Sequence, residues 1–143
     1  MLWVVVGEGR RLDHHLLRCA AETLPSYIID CSNCADPHSL YPEVLPEAMA
    51  RIYVTEVEML YKFRDILKGC RGFIHEEGIR LVVITTTGHL FNYQDELENY
   101  YVIEHAWELI HAIAKTTEVI AGVRRDTLHH KIAGRFAERW VIL

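Results

Sequence analysis

The chain has 143 residues and a formal net charge of −5. That is enough for one domain with a real core, and it is the wrong overall sign for a protein held to nucleic acid by bulk charge. No apolar run approaches the roughly 20 residues that cross a bilayer, no secretion signal is visible, and four cysteines at 19, 31, 34 and 70 do not make a disulfide scaffold, so a cytoplasmic location is expected.

In chain order, the apolar run Leu2 to Val6 is short and β-branched and is bounded by Gly7, which predicts a covered strand. From Leu12 the period becomes helical through Leu16, Cys19, Ala20 and Leu24, and Pro25 helps to end that helix. Tyr27 to Asp30 is a short second strand. Residues Cys31 to Pro46 are rich in Asp, Ser, Asn and Pro, and predict a loop with at most one helical turn. Arg51 to Thr55 is a third strand. The spacing of Met59, Leu60, Phe63, Ile66, Leu67, Cys70, Phe73 and Ile74 predicts one long amphipathic helix that stops at Gly78. Leu81 to Ile84 is the most apolar strand and is expected in the middle of the sheet. A helix over Leu97 to about Lys115, a strand from Glu118 to Val123, a basic loop from Arg124 to His130 and a closing strand from Arg139 to Leu143 complete the chain. Strands alternating with helices predict a single α/β domain over residues 1–143, with a mainly parallel sheet between helical layers.

A strand that feeds a helix through glycines is where many such folds seat a phosphate on free N–H groups and a helix dipole. Tested against G-x-x-x-x-G-K-[ST], Gly7 fits, but Leu12 stands at the second glycine, Asp13 at the lysine and His14 at the hydroxyl residue. The dinucleotide pattern fits only at Gly7 and Gly9. The candidate phosphate turn is therefore Gly7, Glu8, Gly9, Arg10, Arg11, Asp13 and His14, with an aspartate where a cation should neutralise phosphate oxygens.

Other stretches carry chemistry of their own. Cys31 and Cys34 with His38 form C-x-x-C-x-x-x-H, three possible zinc ligands, for which His14 or His15 could supply a fourth; the alternatives are a redox disulfide between the two cysteines or simply two small loop thiols. His89 follows the central strand through Thr85, Thr86, Thr87 and Gly88, at a strand end where parallel sheets hold ligands. Arg124, Arg125, His129, His130, Lys131, Arg135 and Arg139 crowd the last twenty residues and could meet a nucleic-acid backbone. Against that, the acidic stretch from Asp95 to Glu108 can pair with them.

The order of these segments resembles the core of the RecA/RadA recombinase family over nearly the whole chain. Ile28-Ile29-Asp30-Cys31-Ser32-Asn33 is similar to that family's hydrophobic-Asp-Thr-Glu-Asn strand end. Asp36-Pro37-His38 is similar to its Arg-Pro-Glu. Leu81 to Phe91 resembles its second nucleotide motif with the trailing Ser-His-Phe, and Lys131 to Ile142 resembles its late hairpin. The resemblance implies a RecA-like three-layer fold with an ATP and magnesium site, but Asp13 stands at the phosphate-loop lysine, Ser32 at the catalytic glutamate and Thr85 at the metal-orienting aspartate. Those groups supply positioning and charge worth orders of magnitude in rate. Asp95-Glu96-Leu97-Glu98 matches the first DNA loop with the wrong sign. The chain opens on the first strand, without the upstream segment through which recombinases polymerise, so no filament is expected.

Two functions are thus in view. One is a non-catalytic paralogue or accessory protein in DNA recombination or repair, without a cofactor, acting on a recombinase-like partner and through Arg124, Arg125, His129, His130, Lys131 and Arg135 on DNA. The other is an α/β enzyme or binding protein for a small anionic ligand or nucleotide, using the Gly7-Gly9 turn, His89 and the Cys31 and Cys34 thiols, with Arg10 and Arg11 in place of the missing lysine. Exposed sheet edges predict a homodimer or a hetero-complex in either case.

Overall fold

The structure is a computed structural model that describes residues 1–40, 43–88, 90 and 95–143, with the side chains of residues 37 and 38 outside that description. Six strands form one sheet: β1 (Leu2–Val6), β2 (Ser26–Asp30), β3 (Ile52–Glu56), β4 (Leu81–Ile84), β5 (Glu118–Val123) and β6 (Arg139–Ile142). Their order is β3-β2-β4-β5-β1-β6, and all five pairings are parallel. β4 lies between β2 and β5 with all four residues buried, as its unbroken apolar run requires.

Helices cover both faces. On one lie α1 (Gly9–Glu22) and a 3-10 turn, Pro37–Leu40, burying Leu12, Leu16, Leu17 and Ala20 with Val5, Ile28, Leu81 and Val83 of the sheet. On the other lie α3 (Leu60–Gly69), α4 (Arg71–Glu76), α5 (Glu96–Ala114) and α6 (Leu128–Ala133), whose Phe63, Trp107, Ile110 and Ile132 meet Val4, Val6, Ile29, Val82 and Val119. Alternate residues of β1, β2, β4 and β5 thus feed two separate cores. A short helix, α2 (Pro46–Met49), precedes β3.

Several elements differ from the sequence reading. The first helix begins at Gly9, not Leu12. The long helix expected through Ile74 breaks at Cys70 into α3 and α4; Gly69 and Gly72 flank the break, and two glycines so close weaken a helix although the apolar spacing runs on. The basic loop ends at Thr127, whose hydroxyl accepts from His130 N and caps α6. No late hairpin forms among the described residues: Lys131 lies in α6, and β6 runs parallel to β1.

Close packing fixes one glycine. Gly122 of β5 sits opposite Val5 and under α1; a Cβ there would come within 2.7 Å of Leu16 Cδ1, so any other residue would push the Leu16 side chain aside.

Candidate functional site

The carboxyl ends of β1, β2, β4 and β5 bring the sequence candidates to one end of the sheet. The β1–α1 turn is only Gly7 and Glu8, followed at the head of the helix by Gly9, whose φ of 58° is the left-handed region that glycine allows. A phosphate cradle needs a looser loop, whose successive N–H groups turn inward over several residues. Gly7 is buried here, its N–H donates to Val123 O at 3.2 Å, and a Cβ on it would stand 3.3 Å from Leu143 and 3.5 Å from Leu12. Apolar side chains thus crowd one side of the turn. Glu8, Arg10, Arg11 and His14 are exposed.

The three positions that would carry a nucleotide's chemistry do converge, but around a residue the sequence reading did not single out. Asp30, 2% exposed at the end of β2, organises the cluster. Its Oδ1 accepts from Ser32 N at 3.3 Å, Cys34 N at 3.2 Å and Thr85 Oγ1 at 3.1 Å; its Oδ2 accepts from Ala35 N at 3.0 Å. Thr85 Oγ1 in turn accepts from Cys31 N at 2.7 Å, tying the end of β4 to the loop after β2. The carboxylate is spent on protein donors, and such charge-assisted bonds are the stronger kind. An apolar pair followed by Asp and then Cys-Ser-Asn-Cys is a turn in which an aspartate bonds the amides just ahead of it, and that is the signal that could have found it.

Cys34 sits in this cluster with Ser32 Oγ donating to its Sγ at 3.2 Å. Burial first, and then the carboxylates of Asp30 and Asp13, push its thiol up to about 12, while the Ser32 hydroxyl works the other way. Asp13, at the lysine position, therefore faces the loop after β2 and adds negative charge to it. Cys31 points into the core on the α5 side, and burial raises its thiol well above the ordinary value. Both are free thiols, and their raised values keep them from acting as thiolate nucleophiles at neutral pH. Among the described residues no group of three His, Cys, Asp or Glu is arranged to hold a metal ion. The His38 side chain and all of His89 lie outside the described residues.

The basic candidates separate into two sets. His129 is buried, its Nδ1 accepts from Trp107 Nε1 at 3.1 Å, and desolvation lowers it to about 4, so it is neutral core furniture rather than a phosphate contact. Nδ1 of His130 accepts from Asp126 N at 3.1 Å, and its ring lies edge-on to Trp140. Arg135 binds Glu104 at 2.8 Å and the Tyr100 hydroxyl at 3.3 Å; the acidic stretch does pair with the basic one at this point, within the chain. Arg124, Arg125 and Lys131 remain exposed. Arg124 Nη1 would stand 4.0 Å from a Cβ on Gly88, which puts this cation beside the end of β4. Among the described residues no helix is long and apolar enough to cross a membrane.

No protein-family model matches the sequence, and no curated protein matches it. Solved structures do match the fold. One, described as the crystal structure of the RadB recombinase, superposes with a TM-score of 0.72 at 12% identity, covering 94% of this chain and 70% of that one. The fold is therefore RecA-like: a parallel six-strand sheet between helical layers.

Proposed function

We propose that this chain is a non-catalytic RecA-like domain of DNA recombination or repair, acting by binding a protein partner rather than by turning over nucleotide. The fold likeness to a recombinase supports the setting. The observation that carries the rest is the Asp30 cluster, in which the carboxylate is bonded to Ser32, Cys34, Ala35 and Thr85 while Asp13 faces Cys34 of the same loop. A magnesium-triphosphate needs a cradle of amides, a lysine and a free metal-orienting carboxylate. The turn at residues 7 and 8 is too short for the first, Asp13 reverses the second, and Asp30 is already occupied. The residues present do not suit that group.

Purified chain incubated with ATP and magnesium is expected to release no phosphate above buffer. Hydrolysis at a recombinase's rate that disappears in Asp13→Ala would end this reading. For the partner, the chain is expected to change the strand-exchange rate of a RadA-type recombinase on single-stranded DNA; no binding and no effect would remove the recombination setting. Contact with DNA, if made, rests on Arg124, Arg125 and Lys131, since His129 is buried and Arg135 is paired. Its affinity would fall steeply with salt and be lost when those three become alanine.

One observation favours a second reading. Arg10 and Arg11 are exposed at the start of α1, where a helix's first amides attract anions. Saturable binding of a small phosphate compound, abolished by Arg10→Ala with Arg11→Ala, would prefer a ligand-binding role.

A further inference from the structure

The sheet ends in two very different edges. β3 follows exposed Arg51 and ends on exposed Glu56, charged flanks that discourage strands from adding on, and its exposed apolar side chain is the smaller Val54, 37% exposed. β6 instead presents Trp140, 40% exposed, and Ile142, 60% exposed, on one face, next to Leu128 of α6, also 40% exposed. Within the described residues β6 pairs with β1 alone.

The backbone of β6 is poised to take a partner. Leu143 N donates to Val6 O at 2.9 Å, and a strand alternates, so the amide and carbonyl of Val141 also point toward β1 while those of Trp140 and Ile142 point outward. We propose that a second copy of this chain adds here, β6 against β6 and antiparallel, with Val141 on the two-fold axis. In that register Trp140 lies opposite the partner's Ile142 and exchanges both backbone hydrogen bonds with it, and the pair is repeated by symmetry. An aromatic residue faces a β-branched one, a favourable cross-strand pair. Arg139 falls opposite the partner's Leu143, so no like charges meet.

The side chains fit the same register. Trp140 and Ile142 lie opposite Val4 and Val6, on the sheet face that carries α6. Beside Trp140 on that face is a cavity of about 550 Å³ lined by Asp126, Thr127, Leu128, His130, Lys131 and Gly134. The partner's Ile142 is the exposed knob that enters it, and each protomer offers both knob and hole. The interface does not depend on a role in recombination and would stand if that role failed.

The test is the mass of the chain in solution and a cross-link that reads register. Sedimentation at micromolar concentration is expected to give twice the 16.6 kDa of one chain. Ile142→Lys should weaken association at least about tenfold, since the apolar knob is lost and a charged side chain would have to be desolvated in the hole. Adjacent strands place Val141 and its mate roughly 4.5 Å apart at Cα, within disulfide range. With Cys19 and Cys34 changed to serine, Val141→Cys is therefore expected to form a covalent dimer on mild oxidation, and Val54→Cys on the opposite edge is not. A monomer throughout overturns the proposal, as does a dimer that survives Ile142→Lys or that cross-links through position 54 and not 141. Should Ile142→Lys lose its circular dichroism spectrum, the cross-link alone decides.

Discussion

Replacing Asp30 with alanine should unfasten the loop after β2. The carboxylate accepts from three backbone amides and the Thr85 hydroxyl, all within 3.3 Å. At about 1.5 kcal/mol for each bond to a charged group, the set amounts to roughly 6 kcal/mol. Ser32, Cys34 and Ala35 are only half-buried, so water can replace part of their share, which brings the expected cost of Asp30→Ala to about 3–4 kcal/mol. That is a large part of the ~5–15 kcal/mol that holds a domain of this size together. Asp30→Asn keeps an oxygen at the Oδ1 position and loses only the bond to Ala35 N, where its own NH₂ would face a donor; about 1–2 kcal/mol is expected. Thr85→Val strands Cys31 N, and a cycle with Asp30→Ala should show a coupling of about 1 kcal/mol between the two. Urea unfolding followed by circular dichroism measures all four proteins. A loss below about 1 kcal/mol for Asp30→Ala, or equal losses for alanine and asparagine, would refute the reasoning, because then the loop holds its shape without the charge.

Two further outcomes follow from single contacts. His129 is held neutral, near 4, while in the unfolded chain it takes a proton around 6.5. Its folded value is the lower one, so its contribution is full above pH 6.5 and is lost as pH falls toward 4, by roughly 3 kcal/mol at most. His129→Gln, which can still accept from Trp107, should flatten stability against pH over that window, and urea midpoints at pH 7 and pH 5 would show it. Gly122→Ala should cost about 1–3 kcal/mol by driving a methyl group into Leu16, read as a lower melting temperature; no change would mean that α1 can lift off β5 freely.

Patterns local in the chain were legible, and partnerships across it were not. The strands and α1 declared themselves through runs such as Leu81 to Ile84 and the spacing of Leu12, Leu16 and Ala20, since burial on one or two faces writes a period directly into the residues. The break at Cys70 hid because Phe63, Leu67 and Ile74 keep one apolar stripe through it. Asp30 hid because its importance lies in Thr85, fifty-five residues away, and in amides that any residue would supply. His129 read as one more cation among Arg124, Arg125 and Lys131; nothing local says that Trp107 will close over it. Of the candidate site, the reversed charge at Asp13 could be read from the motif, but the length of the turn could not, since Gly9 serves equally well in a loop or at the head of a helix.

Leu143 stands beside Gly7 and packs on the cluster that holds Leu12, at the turn a phosphate loop would have to occupy. An engineer wishing to install nucleotide binding could not succeed by writing lysine at position 13. The β6 terminus would first have to be moved aside and several residues spliced in ahead of Gly9, after which the sheet would lose a side chain that helps to clasp its outermost strand. Adhesion of that strand thus works against hospitality to a phosphate at this turn.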